Sequence, residues 1–495
     1  MAKEKTNVNA NGIYDARKLG IPKMLLLGFQ HMFAMFGATV LVPLLTGLDV
    51  ATTLLMAGLG TLLFHIIAKG KVPAFLGSSF AFLGGYAAVA PMENGLPNTE
   101  KLPYACLGVA CAGLVYLILA ALIKLVGINK VMRFFPPVVT GPIIIAIGLG
   151  LAGSAVNNCK TNWLLAIVAL ALVIIFNVWG KGMAKIIPIL IGVVGSCAVA
   201  AILALTTREY VTILDESGKI ASEFYAVNGI EQLKLFDVSA WAEFKNAAWI
   251  GLPVHKSETI FAIDWSNKSL IISSIVAIVP ISLATMMEHI GDISAIGATC
   301  GRNYIKDPGL HRTLIGDGLA TSLSAVFGGP ANTTYGENTG VLALSRVYDP
   351  RVIRLAAVFA VILSFSPKFA AFINLIPPGI IGGISFVLYG MISAIGVRNV
   401  VENKVDFKKS RNLIVAAIIL VTALGLGSID FKIGSVDISL SALAVASIVG
   451  IVLNAILPGK DYNFDESGYE NGKDSESRNT PEAVEAVEAV EASES

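Results

Sequence analysis

Apolar residues along this chain arrive in runs of roughly 17 to 25, the length a helix needs to cross a hydrocarbon core about 30 Å thick. Short polar connections separate them, and the runs predict spans near 24–45, 51–68, 72–91, 103–126, 135–155, 162–180, 186–206, 268–291, 313–328, 334–347, 353–367, 375–397, 411–427 and 437–457. The expected fold class is an all-α integral membrane protein of about fourteen transmembrane segments. Two runs depart from the helical pattern. The third, KVPAFLGSSFAFLGGYAAVAP, and the tenth, TTYGENTGVLALS, are short or interrupted by Gly, Pro, Ser and Thr, residues that break the helical ladder or compete with it for hydrogen bonds.

The two halves echo each other. Pro73-Ala74 precedes Phe80 by seven residues and Pro330-Ala331 precedes Glu337 by seven, an offset of 257. Pro136-Pro137 with Gly141 recurs as Pro377-Pro378 with Gly382 at the same internal spacing. Seven spans per half is an odd number, so the second copy enters the membrane from the opposite side. Inverted repeats with broken helices at matching positions point to a transporter whose site lies near the midplane. The chain is expected to divide into a cytoplasmic N-terminal segment 1–23, a first seven-span repeat 24–206, an external loop 207–267, a second repeat 268–458 and an acidic cytoplasmic tail 459–495.

Composition sharpens this reading. Hydrophobic residues make up 55% of the 495 and charged residues 14%, against about 25% charged in a soluble domain, which excludes a soluble multidomain protein. The net charge of +1 hides an asymmetry: the tail holds eleven Asp or Glu against Lys460, Lys473 and Arg478, a charge of −8, and the rest carries +9. Those cations are dispersed over alternate connections, such as Lys69 and Lys71, Lys124 with Lys130 and Arg133, and Arg398 with Lys404, Lys408, Lys409 and Arg411. Dispersal argues against a nucleic-acid partner, and the positive-inside rule places both termini in the cytoplasm. The tail's PEAVEAVEAVEASES buries too little apolar surface to order itself. About twenty polar residues precede the first apolar run, unlike a cleaved signal. Cys106, Cys111, Cys159, Cys197 and Cys300 form no CxxC pair or regular framework, so neither disulfide nor metal chemistry is expected and no cofactor is implied.

Candidate chemistry lies inside the membrane runs. The eighth run, IVAIVPISLATMMEHIGDISAIG, places Glu288, His289 and Asp292 in an otherwise apolar helix, where a charge costs roughly 3 kcal/mol. Glu288 and Asp292, four apart, share a helical face, with His289 beside it. Two carboxylates on one face in a low dielectric resist ionising together, the property a proton carrier needs. The same residues would also serve as interhelical hydrogen-bond partners, His289 above all. In FGGPANTTYGENTGVLALSR, Pro330 and Asn332-Thr333-Thr334 interrupt the tenth run just before Tyr335-Gly336-Glu337-Asn338. Freed amides there, and at Gly77-Ser78-Ser79-Phe80 in the third run, suit the carbonyl oxygens of a small polar ring. A planar imide such as uracil alternates N–H donors with carbonyl acceptors and so demands carboxylates and amides together. Amino acids and other small polar solutes fit these residue types nearly as well.

At these residues the sequence resembles the nucleobase:cation symporter 2 family, also called nucleobase–ascorbate transporters, and within it the bacterial uracil permeases. The resemblance covers nearly all of residues 20 to 458, through GFQHMFAMFGATVLVPLL (28–45), PAFLGSSFAF (73–82), MEHIGD (287–292), GDGLAT (316–321) and NTTYGENTGVLALSR (332–346), in that order. It implies two inverted seven-span repeats folded into a core domain (spans 1–4 and 8–11) and a gate domain (spans 5–7 and 12–14), with short strands in spans 3 and 10 crossing near the substrate. It also implies that Glu288 and Glu337 bind the base, that the backbone of Phe80 and of Tyr335-Gly336 completes the site, and that Gln30 and His31 support the core. Asn338 and Asp317 are further supporting candidates. Glu288, Asp292, His289 and Glu337 are the candidates for proton coupling, and a homodimer is implied. Asp292 departs from the uracil pattern, which shows histidine there, and resembles the xanthine and urate branch, whereas Glu337 resembles uracil carriers. Ser345 stands where the signature has threonine and keeps the hydroxyl.

The implied function is import of uracil with a proton across the cell membrane by alternating access. A xanthine or other purine carrier is the rival within the family. A polytopic membrane enzyme would need a nucleophile or metal set, and the chain has five histidines and no HExxH. A passive channel would seldom need buried carboxylates beside two broken helices.

Overall fold

The computed structural model describes residues 12–92, 97–181, 183–207, 209–214, 220–434 and 436–459. The acidic tail beyond 459 and the first eleven residues lie outside the described residues. Among those described, seven helices are long and apolar enough to cross a membrane, or eight if the bent pair Pro350–Ser364 and Pro367–Asn374 is one span. With the shorter apolar helices and the two broken segments, every apolar run in the sequence contains a helix.

Span 1 is Ile21–Thr46, span 2 Val50–Ile67, span 4 Leu102–Val126, span 5 Pro137–Cys159, span 6 Trp163–Val178 and span 7 Pro188–Thr207. In the second half, span 8 is Lys268–Cys300, span 9 Leu310–Val326, span 11 Pro350–Ser364, span 12 Pro378–Glu402, span 13 Ser410–Gly425 and span 14 Ala442–Ile456. Span 8 runs nine residues beyond its expected end at 291, because the small residues after Asp292 continue the helix to a left-handed cap at Gly301. A 3-10 turn over Val279–Ile281, at Pro280, interrupts its first half.

Spans 3 and 10 are the broken pair. Span 3 is a strand, Leu76–Ser78, followed by a short helix, Phe80–Val89; span 10 is a strand, Asn332–Thr334, followed by the helix Gly336–Ser345. The strands pair antiparallel, Leu76 opposite Thr334, Gly77 opposite Thr333 and Ser78 opposite Asn332. The 257-residue echo thus marks two strands that cross each other.

Packing carries the same symmetry. Span 2 packs on span 9, span 5 on span 12, and the strand of span 3 on that of span 10, each a pairing of equivalent elements. The contact of span 4 with span 9 has its counterpart in span 11 with span 2, and span 6 with span 7 in span 13 with span 14. Two packed groups result: a core of spans 1–4 and 8–11 and a gate of spans 5–7 and 12–14.

Outside the apolar runs the sequence reading missed two features. The inter-repeat connection carries a three-stranded antiparallel sheet, Tyr210–Leu214, Ile220–Ala226 and Lys234–Asp237, and a helix Val238–Asn246. Between spans 13 and 14 stands a hairpin, Ser428–Ile433 with Val436–Ser441, packed on spans 3 and 8. The hairpin joins gate to core, and its alternating polar and apolar residues are too short a signal to separate from a span end.

Candidate functional site

Strands inside a hydrocarbon layer expose backbone groups that lipid cannot satisfy, at several kcal/mol each, so they must be enclosed by protein. All six strand residues are buried, and side chains of spans 2 and 9 collect the freed groups. Thr61 Oγ1 accepts from Leu76 N at 2.9 Å and donates to Leu76 O at 3.2 Å, and His65 Nε2 lies 2.9 Å from Ala74 O. In the second repeat Thr321 Oγ1 donates to Asn332 O at 2.7 Å and Ser324 Oγ to Pro330 O at 2.5 Å. These four residues were not among the expected candidates. Their signal in the sequence is a polar pair at i,i+4 or i,i+3 on an apolar helix beside each broken run.

Tyr335 locks the crossing. Its amide donates to Phe75 O at 3.0 Å and its hydroxyl to Ser78 O at 2.9 Å, while Thr39 Oγ1 of span 1 lies 3.2 Å from that hydroxyl. Immediately beyond the strands, the helices beginning at Phe80 and Gly336 present their first-turn amides, the positive ends of their dipoles.

Those two ends meet a cavity of about 940 Å³ between core and gate. Ser78, Phe80, Thr333, Thr334, Tyr335 and Gly336 line it from the broken spans, and Glu288, Gly291 and Asp292 from span 8. The gate contributes Thr140 and Ile144 of span 5 and Ile392, Ile395 and Asn399 of span 12; Arg398, Glu402 and Lys404 lie towards one end. The Phe80 ring meets Tyr389 of the gate edge-on, centroids 5.6 Å apart.

Five of the expected site residues therefore come together on one surface: Glu288, Asp292, Phe80, Tyr335 and Gly336. Glu337 occupies the first turn of the span 10 helix, but its side chain lies outside the described residues. The rest are set behind the surface. His289 is fully buried and points into the core, its Nδ1 3.2 Å from Asp317 Oδ2 and 3.4 Å from Thr334 Oγ1. Thr334 Oγ1 in turn donates to Asp292 Oδ2 at 3.1 Å, so a polar chain leads from the cavity wall at Asp292 through Thr334 and His289 to Asp317. Gln30 and His31 are buried in span 1, and Asn338 Nδ2 donates to His31 O at 3.1 Å. No cluster of three or more metal-ligating side chains occurs among the described residues.

The arrangement offers acceptors from two carboxylates, donors from two helix ends and an aromatic face, all in a space bounded by two bodies. A family profile described as "Permease family" matches residues 22–430. The uracil permease of Bacillus caldolyticus is 39% identical over 457 residues, 90% of this chain and 95% of that protein. That of Bacillus subtilis (strain 168) is 37% identical over 452 residues, 88% of this chain and 93% of that protein. Among solved structures, the transmembrane domain of a cyanobacterial bicarbonate transporter superposes with a TM-score of 0.57 at 14% identity, covering 89% of this chain and 99% of that one. This last likeness concerns the fold alone.

Proposed function

The chain belongs to the Permease family, and from that premise we propose that it moves uracil across the membrane together with a proton, by alternating access at the cavity between core and gate. It is a multi-pass membrane transporter and not an enzyme, and its cargo is uracil. The observation that carries the mechanism is the joining of Glu288 and Asp292 with the two broken spans on one cavity wall.

In this reading Glu288, with Glu337, accepts the N–H groups of the base, the first-turn amides at Phe80 and at Gly336 donate to its carbonyls, and the Phe80 ring covers one face. Gln30, His31 and Asn338 hold the span 1 to span 10 contact that fixes those amides. The proton is shared within the group Glu288, Asp292 and Glu337, with His289 and Asp317 behind it. Protonation turns a carboxylate from acceptor into donor, so base and proton alter each other's binding. A site built on such pairs rejects analogues that leave one buried group unpaired, by roughly 10⁴ or more.

The basic residues at the cavity end, Arg398 and Lys404, fall on the face that the positive-inside rule assigns to the cytoplasm. Both termini then lie in the cytoplasm, repeats 24–206 and 268–458 are joined by the external connection 207–267, and the cavity faces inward. The protein works as a homodimer, which its mass in a lipid nanodisc checks.

Radiolabelled uracil uptake into proteoliposomes, with and without an inward proton gradient, tests the proposal. Gradient-driven accumulation that excess xanthine does not block, and that Glu288→Gln abolishes, is expected. Uptake that survives in Glu288→Gln with native affinity and proton stoichiometry rejects the coupling role of that residue. Block by xanthine moves the cargo to the purines and gives Asp292 the greater weight.

A further inference from the structure

The connection between the repeats carries an apolar patch that the transport cycle does not use. Trp249, Ile250 and Leu252 are 76%, 83% and 76% exposed, yet their backbone is tied down. Gly251 N donates to Phe365 O at 2.9 Å, Lys368 N to Ala248 O at 2.9 Å, and Lys368 Nζ to Lys245 O at 3.0 Å. Phe365 caps the end of span 11, and the next helix, Pro367–Asn374, turns 88° away from it. The 249–252 stretch is thus pinned at the depth where span 11 leaves the hydrocarbon.

Span 11 has its own exposed apolar stripe, Val358, Ile362 and Phe365, spaced four and three and so on one helical face. In a membrane-spanning helix that face meets lipid, and it ends at the residue to which Gly251 is bonded. Lys368 stands beside the patch, its Nζ 5.7 Å from the Trp249 ring centroid and 4.8 Å from that of Phe244. Tryptophan with lysine above an apolar edge is the composition of the membrane–water interface, where the ring sits at headgroup level and the ammonium reaches for water or phosphate.

We propose that the 249–252 stretch inserts into the headgroup and acyl boundary of the leaflet on its own side. The inter-repeat connection then becomes a lipid-anchored strap. It fastens the helix Pro367–Asn374, which joins span 11 of the core to span 12 of the gate, to the bilayer surface. The occupant is the bilayer and not a second copy, because the patch continues the exposed apolar stripe of span 11 and sets Lys368 beside Trp249.

A variant keeping Trp249 alone, with Trp163, Trp179, Trp241 and Trp265 changed to Phe, is reconstituted into vesicles of phosphatidylcholine brominated either near the headgroup or near the chain end. Insertion by about 5–10 Å predicts emission cut by about half by the shallow label, less by the deep one and little by aqueous iodide. If that variant does not fold, the native protein and Trp249→Phe are compared, and the shallow-label quenching lost on substitution is the contribution of Trp249. Emission quenched by iodide and indifferent to brominated lipid overturns the proposal. So does bromolipid quenching that falls as protein density in the vesicle rises, which hands the patch to a second copy.

Discussion

Gly77 shows how tightly single residues are constrained at the crossing of the strands. A Cβ there would lie 2.5 Å from the Tyr335 ring carbons and 2.7 Å from Thr39 Oγ1, closer than real Cβ contacts come. Gly77→Ala must displace Tyr335, and overpacking of this kind costs about 1–3 kcal/mol. The expected outcome is a lower thermal midpoint and a raised uracil KM in the same preparation. The entry to span 1 is fastened by ion pairs. Asp15 pairs with Arg17 at 2.9 Å and Arg351 at 3.0 Å. The hydrogen bond from Arg17 holds its carboxyl down at about 2, against an ordinary 3.8. A depressed carboxylate stabilises the folded latch above its unfolded value and loses that effect as pH falls towards the folded one. Pepsin should therefore leave residues 12–20 intact at pH near 3.8 and cut them as pH approaches 2, a window that Asp15→Asn removes.

The interrupted spans matter more than the regular ones at the scale of elements. Each strand is an open backbone edge at membrane depth, tolerable only because a neighbouring helix supplies hydroxyls, Thr61 for one repeat and Thr321 for the other. Thr61→Val and Thr321→Val keep shape and remove the hydroxyl, leaving a buried backbone group unpaired at about 1–3 kcal/mol each. Both should lower the thermal midpoint and weaken uracil binding, whereas a valine at Thr206, whose hydroxyl bonds only within its own helix and is exposed, should do neither. Equal binding in all three variants would show that the strands do not depend on these donors.

For the molecule as a whole, alternating access requires the gate to move against the core. On the side of the membrane carrying the inter-repeat connection, Gly84 of span 3 faces Ser441 at the end of the hairpin, and a Cβ at Gly84 would lie 3.7 Å from the Ser441 Cβ. That separation suits a disulfide. The pair Gly84→Cys with Ser441→Cys, oxidised in the membrane, should stop uracil uptake and regain it on reduction, with either single substitution unaffected by oxidant. Undiminished transport in the cross-linked protein would mean that hairpin and core move as one body, and the hinge would have to be sought elsewhere.

How much of this was legible in the sequence follows from the range of the forces involved. Span number, the two interruptions and the repeat are written in hydrophobic runs and in Pro, Gly, Ser and Thr punctuation, because lipid demands satisfied backbone from each segment by itself. Glu288 and Asp292 stood out for the same reason, a charge being costly in any apolar run. The division of labour among the polar residues was not legible. His289 adjoins Glu288 in sequence, yet it turns to Asp317 and Thr334 while Glu288 faces the cavity, and only the packing of spans 9 and 10 against span 8 decides which side of that helix is core. Thr61 and Thr321 each belong to a polar pair on an apolar helix, but which backbone groups those pairs serve is decided only when a strand is laid against them. The hairpin between spans 13 and 14 and the sheet in the inter-repeat connection pair through backbone groups, whose partners no side-chain pattern names. Local solvation is encoded residue by residue, and the sharing of hydrogen bonds between distant segments exists only once they are packed.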